Sequence, residues 1–190
     1  MKVTKIHLSL LDLAPVSESH SLAEAIHNCV RLVKAAEIAG YHRFWMAEHH
    51  NMIDIASAAT TVILSLSGSQ TEIIHIGSGG IMLLNHAPII VAEQFGTLET
   101  LYPRRVDLGM GRAPVMDQET LQALSRDSRV RVQEFPEMLN ELQHFLAESH
   151  HGHRVKPVPG AGLQVPVWLL GLSTFSAQLA AKKSLPLVFA

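Results

Sequence analysis

Apolar and polar positions along this chain fall into blocks, and the blocks alternate between two periods. Short apolar runs over residues 6–11, 44–47, 73–84, 106–110, 167–170 and 187–189 predict six strands. Between them the apolar residues recur at helical spacing. Leu22, Ala25, Ile26, Cys29, Leu32, Val33 and Ala36 share one helical face, behind a Ser21/Glu24 capping box and before a closing Gly40. Residues 56–66 read as a second helix and 89–101 as a third, entered through Pro88 and stopped before Pro103. Phe135, Met138, Leu139, Leu142, Phe145 and Leu146 mark a fourth helical region, and residues 176–183 a fifth.

Strand and helix in strict alternation predict βα units on a parallel sheet. No linker, low-complexity run or short repeat divides the chain, so residues 1–190 read as one domain. Two architectures fit this order: an open doubly wound sheet and a (β/α) barrel. A dinucleotide fingerprint requires G-x-G-x-x-G between the first strand and its helix. The first turn, Asp12 to Ser21, has no glycine, and Gly77-Ser78-Gly79-Gly80 lies on the third strand without a glycine at Met82. The barrel is therefore the better match.

Composition adds limits. Charged residues are only 17% of the 190, below the roughly 25% usual, as a parallel sheet covered on both faces requires. A net charge of -2 leaves no basic footprint for nucleic acid. The single Cys29 excludes an internal disulfide and a C-x-x-C motif, and its helical position reads as packing. The N-terminus lacks a signal-peptide pattern. The uncharged stretch 157–181 is broken by Pro159, Gly160, Gly162 and Pro166, so no membrane span is expected and a cytoplasmic location is.

Chemistry concentrates where strands end. The run R-F-W-M-A-E-H-H-N, residues 43–51, turns within one step from buried apolar positions to Glu48, His49 and His50. Adjacent imidazoles on extended backbone point opposite ways, so one of the two can face a pocket and exchange a proton near neutral pH. These three residues lack the spacing of a helical zinc site; His150, His151 and His153 near Glu148 look more metal-like by composition, but they sit in a Gly-containing loop after an amphipathic helix, and no metal site is expected. Arg112 follows a strand and two glycines, suited either to gripping a phosphate or to pairing with a surface carboxylate. Ser173, Thr174 and Ser176 precede the fifth helix, as plain N-caps or as hydroxyls around a bound phosphate. Gly77, Gly79 and Gly80 suggest either a planar ligand against bare backbone or tight packing.

Read together, S-L-L-D-L-A-P, F-W-M-A-E-H-H-N, I-G-S-G-G-I-M-L, N-H-A-P, A-E-Q-F-G-T-L-E, L-G-M-G-R-A-P, V-P-G-A-G and V-P-V-W-L-L-G-L-S-T-F-S-A-Q-L-A-A resemble the bacterial luciferase-like, flavin-dependent monooxygenases, in their non-luminescent subgroup. The resemblance runs in family order over essentially the whole chain. It implies a TIM barrel that binds FMN at its strand ends and uses reduced FMN and O₂ on a small organic substrate. The reductant is then NAD(P)H or a flavin reductase, with a deazaflavin as the alternative cofactor. By the same resemblance His49 is the catalytic histidine. Gly79 and Gly80 match a non-proline cis peptide beside the flavin ring, and Arg112, Ser173 and Ser176 lie near its phosphate. Six strands fall short of a barrel of eight, which takes about 250 residues, so the chain is expected to be the N-terminal part of an incomplete barrel, truncated at its C-terminus. Its open edges suggest a homo-oligomer. Asp54, Arg104 and Ser184 stand where the family usually has turn glycines. The rival expectations are a non-catalytic FMN- or phosphate-binding module and an inactive remnant.

Overall fold

A computed structural model describes residues 6–112, 118–124, 132–148 and 155–189. Among the described residues there are seven strands: β1 (Ser9–Asp12), β2 (Arg43–Met46), β3 (His75–Ser78), β4 (Ile81–Met82), β5 (Val106–Gly111), β6 (Val167–Leu170) and β7 (Leu187–Val188). Six α-helices accompany them: α1 (Leu22–Ile38), α2 (Thr60–Ser69), α3 (Pro88–Leu101), α4 (Gln118–Leu124), α5 (Phe135–Leu146) and α6 (Thr174–Lys183). Every strand pairing is parallel, in the order β1-β2-β3-β5-β6-β7, with β4 added beside β5. Strand order follows chain order, as in a barrel and not as in a doubly wound sheet. The sheet is the curled, incomplete (β/α)₈ arrangement, and β1 and β7 each pair on one side among the described residues.

Register separates the two faces. Leu10, Phe44, Ile76 and Val106 lie in one row across β1, β2, β3 and β5. Phe44, Ile76 and Val106 are buried in the core against the helices. The next row, Leu11, Trp45, Gly77 and Asp107, faces the inside of the curl, because successive residues of a strand point to opposite faces. Gly77 is required there: a β-carbon would come within 2.5 Å of the Asp107 carbonyl oxygen and 2.9 Å of Trp45 Nε1.

The capping box forms as the sequence predicts. Ser21 Oγ accepts from the Glu24 N–H, and Glu24 Oε2 accepts from the Ser21 N–H at 2.7 Å. Ala25, Cys29, Val33 and Ala36 are buried, but Leu22 and Leu32 are exposed, one in the first turn and one at the edge of the apolar stripe. The expected third strand divides in two at a cis Gly79–Gly80 peptide bond. The fourth helical region contains two helices, α4 and α5, which raises the helix count by one. Arg104 and Ser184 have left-handed backbone, with φ of 64° and 53°, but Asp54 does not. Its carbonyl accepts from Val16 N–H at 2.8 Å, beside an antiparallel bridge between Pro15 and Ile55, and the left-handed residues nearby are Asn51 and Ala14. Among the described residues, no helix is long and apolar enough to cross a membrane.

Candidate functional site at the strand ends

The carboxyl ends of β2, β3, β5 and β6 line up along one rim. At the end of β2 the chain continues through Ala47 to Glu48, His49 and His50. This segment is tied to the cis step on both sides: Gly79 N–H donates to the Met46 carbonyl at 2.8 Å, and Glu48 N–H to the Gly80 carbonyl at 3.4 Å. On its other flank Gly80 touches β5, where a β-carbon would meet the Gly109 oxygen at 2.7 Å and the Gly111 nitrogen at 3.0 Å. Ser78 replaces the interrupted ladder, its Oγ donating to the Gly109 carbonyl at 2.8 Å and accepting the Gly109 N–H at 3.0 Å. The β5 end pairs with the β6 end through Gly111 and Leu170, and the chain then reaches Ser173.

His49 is half buried, and its Nδ1 is buried without a hydrogen-bond partner among the described residues. A buried imidazole nitrogen left unpaired is unfavourable unless something binds to it. His50 turns elsewhere, to the Glu48 carboxylate, so the two adjacent rings serve different neighbours, as extended backbone predicts.

Glu48 is the rim residue that sequence reasoning underrated. It is only 1% exposed, yet it gathers four partners. Its Oε2 accepts the Met82 N–H at 2.9 Å; its Oε1 faces His50 Nε2 at 2.7 Å, His86 Nε2 at 2.9 Å and Asn85 Nδ2 at 3.3 Å. Burial pushes the Glu48 carboxyl up, but His86, the Met82 N–H and His50 together hold it below the ordinary carboxylate range. His86 lies 38 residues away and carries no local signal beyond standing just before the Pro88 helix start.

Arg112 places its guanidinium 4.4 Å from the Phe175 ring centroid, in the first turn of α6. It pairs with no carboxylate among the described residues. Ser173 caps α6, its Oγ accepting the Ser176 N–H at 3.3 Å and lying 3.2 Å from Ser176 Oγ. Arg112, Ser173 and Ser176 therefore form one neighbourhood, and His49 with Gly79 and Gly80 another. The two meet along the rim: Gly80 packs against the backbone of Gly109 and Gly111 just before Arg112, while His49 stands at the end of β2, two strands from β5, roughly 10 Å at the usual strand spacing. His150, His151 and His153 lie outside the described residues.

Deeper on the inner face, Asp107 is buried and accepts from Arg43 Nε at 2.9 Å, Trp45 Nε1 at 3.3 Å and Trp168 Nε1 at 3.2 Å. This fully used carboxylate forms the floor beneath the rim. A groove of about 650 Å³ lies away from all of these groups, on the outer side between α2 and α3, where Ser65, Leu66, Leu98 and Tyr102 line it.

The family model for luciferase-like monooxygenases matches residues 6–190. The chain belongs to this family. A luciferase-like monooxygenase of Escherichia coli K12 is 52% identical over 185 residues, which are 97% of this chain and 55% of that protein. The N-acetyl-S-alkylcysteine monooxygenase of Bacillus subtilis is 40% identical over 97% of this chain and 57% of its own length. Among solved structures, apo-MsnO8 superposes with a TM-score of 0.90 at 35% identity, covering 96% of this chain and 55% of that one. The FMN complex of the oxygenating constituent of 3,6-diketocamphane monooxygenase from Pseudomonas putida superposes at 0.79 with 15% identity, covering 97% and 57%. At that identity the likeness concerns the fold alone. The chain spans about half the length of the family relatives it matches.

Proposed function

We propose that this chain supplies the flavin-binding rim of a luciferase-like monooxygenase, which uses reduced FMN and O₂ on a small organic substrate. The observation that supports this most is the order of groups along the rim. His49 with its unpartnered Nδ1, the bare Gly79–Gly80 backbone, Arg112 and the Ser173 cap stand on successive strand ends. Family membership favours FMN over a deazaflavin, because monooxygenation needs a cofactor whose reduced form reacts with O₂.

The residues suit such a ligand chemically. Gly79 packs against Leu11 and Trp45 and Gly80 against the β5 backbone, so the cis peptide group between them is what would meet a planar ring. Arg112 brings a guanidinium that no carboxylate neutralises among the described residues. The first turn of α6 leaves N–H groups without an intrahelical acceptor, and its dipole favours an anion there. Ser173 and Ser176 add hydroxyl donors for phosphate oxygens. His49 can hold or move a proton at its buried Nδ1 beside the ring. When bound, reduced FMN supplies the electrons for oxygen activation; NAD(P)H or a flavin reductase would renew it.

Titrating the purified chain with oxidised and reduced FMN, followed by flavin fluorescence, tests the reading. Quenching that saturates, and that Arg112→Ala weakens about tenfold or more, supports it. Quenching without substrate turnover in the presence of NAD(P)H reduces it to a binding module. No quenching by either redox form overturns it.

A further inference from the structure

The Glu48 cluster has a geometry that ordinary hydrogen bonding leaves crowded. Three side-chain nitrogens converge on Oε1: His50 Nε2 at 2.7 Å, His86 Nε2 at 2.9 Å and Asn85 Nδ2 at 3.3 Å. A carboxylate oxygen offers two lone pairs. His86 Nε2 also lies 3.0 Å from Oε2, which already accepts the Met82 N–H. No lysine or arginine pairs with Glu48 among the described residues, so this buried carboxylate has only imidazoles beside it as possible cations. The donor atoms of Glu48, His50 and His86 lie within 4.8 Å of one another.

We propose that Glu48, His50 and His86 form a binding site for a zinc-class divalent cation. Two imidazole nitrogens and one carboxylate oxygen are a donor set that zinc accepts, with bonds of about 2.0–2.2 Å. Donors around a tetrahedral zinc lie roughly 3.3 Å apart, so the imidazoles need to open from Oε1 by only a few tenths of an ångström. The cation would offset the buried negative charge and give all three lone pairs one target. Asn85, with its amide turned so that Oδ1 faces inward, brings a fourth oxygen close; otherwise water completes the shell. Imidazole donors select zinc, cobalt or nickel over magnesium and calcium, which prefer oxygen. His50 and His86 are 18% and 27% exposed in their side chains while Glu48 is 1% exposed, so the site has a mouth and a buried anchor. The bound ion clamps the segment after β2 to the segment leading into α3. The inference does not depend on flavin binding.

Equilibrium dialysis of the purified full chain against Zn²⁺, with elemental analysis, and the visible spectrum of the Co²⁺ form test it. A tight equivalent is expected, with cobalt bands of a nitrogen- and oxygen-ligated ion. Glu48→Gln and His86→Ala should each weaken binding about 100-fold or more, while replacing His150, His151 and His153 together with alanine should leave the cobalt bands unchanged. Equal binding by wild type and Glu48→Gln overturns the proposal, as does loss of the bands in the triple replacement. Should circular dichroism show Glu48→Gln unfolded, His50→Ala decides, because its ring is partly exposed: undiminished affinity there overturns the assignment.

Discussion

The two ends of one parallel sheet are finished in opposite ways. At the amino ends of the strands, Glu37 and Arg105 are engaged chiefly by backbone groups. Glu37 Oε1 accepts the N–H groups of Glu72, Ile73 and Ile74 at 2.7–2.9 Å, fixing the turn into β3. Arg105, just before β5, donates to the Ile74 and Thr71 carbonyls and to Thr71 Oγ1. At the carboxyl ends, His49 Nδ1 has no partner among the described residues and Arg112 rests on an aromatic face, while Glu48 is crowded by imidazoles. Satisfied groups stabilise a fold, whereas unsatisfied ones are available to a ligand. The contrast predicts that substitutions at the base change stability and substitutions at the rim change function.

The largest expected effect is at the rim. His49→Ala should lower monooxygenase turnover of the flavin-loaded protein on the order of 100-fold or more, while its unfolding free energy, measured in urea, stays within about 0.5 kcal/mol of wild type. A fall in stability matching the loss of turnover would erase the distinction. Gly80→Ala crosses the boundary deliberately. Its β-carbon meets backbone of Gly109 and Gly111 that has nowhere to move, so stability should drop by about 2–3 kcal/mol and FMN affinity with it. An unaltered melting curve would show that the rim backbone yields more than its packing implies.

Base substitutions come next. Glu37→Ala should cost about 1–2 kcal/mol, discounted because solvent screens this partly exposed carboxylate, and should leave FMN titration unchanged. Burial pushes the Glu37 carboxyl up, but the Ile74, Ile73 and Glu72 N–H groups and the Arg105 charge bring it below its ordinary value. The group's contribution is therefore complete above its unfolded pKa and lost as pH falls through the lower folded one. Stability measured against pH should fall less on the acid side for Glu37→Gln than for wild type.

The smallest effect concerns Cys29. Burial, with the Asp12 charge and a hydrogen bond to Asp12, pushes its thiol up to about 12. A raised acid keeps the folded state favoured below the unfolded thiol's pKa and begins to cost stability as pH rises above it. A thiol reagent at pH 8 should label Cys29 only as fast as the protein opens; prompt labelling of the native chain would contradict its buried, neutral state.

Much of this was legible in the residues. Helical spacing and caps marked α1, α3 and α6 because their signals are local: a hydroxyl three residues before a carboxylate, a proline at a first turn, a serine before a helix. The rim candidates were legible through strand ends, which put Glu48–His50 and Arg112 at the same edge of any parallel sheet. Boundaries inside residues 73–84 were not, because the break at Gly79–Gly80 is made by contact with β2 and β5 and not by local preference. The same holds for Asp54, whose backbone is held by Val16.

Period, punctuation and the glycine-free first turn determined by themselves that this chain builds a parallel sheet of βα units with titratable residues at the strand ends. Local propensities and side-chain direction need only neighbours within a few residues. Only the tertiary structure decided that His86 joins His50 on Glu48, that Asp107 draws Arg43 and two tryptophans into the floor, and that Arg112 meets the α6 cap. Those meetings link residues 38 to 64 positions apart, and the register of adjacent strands sets them.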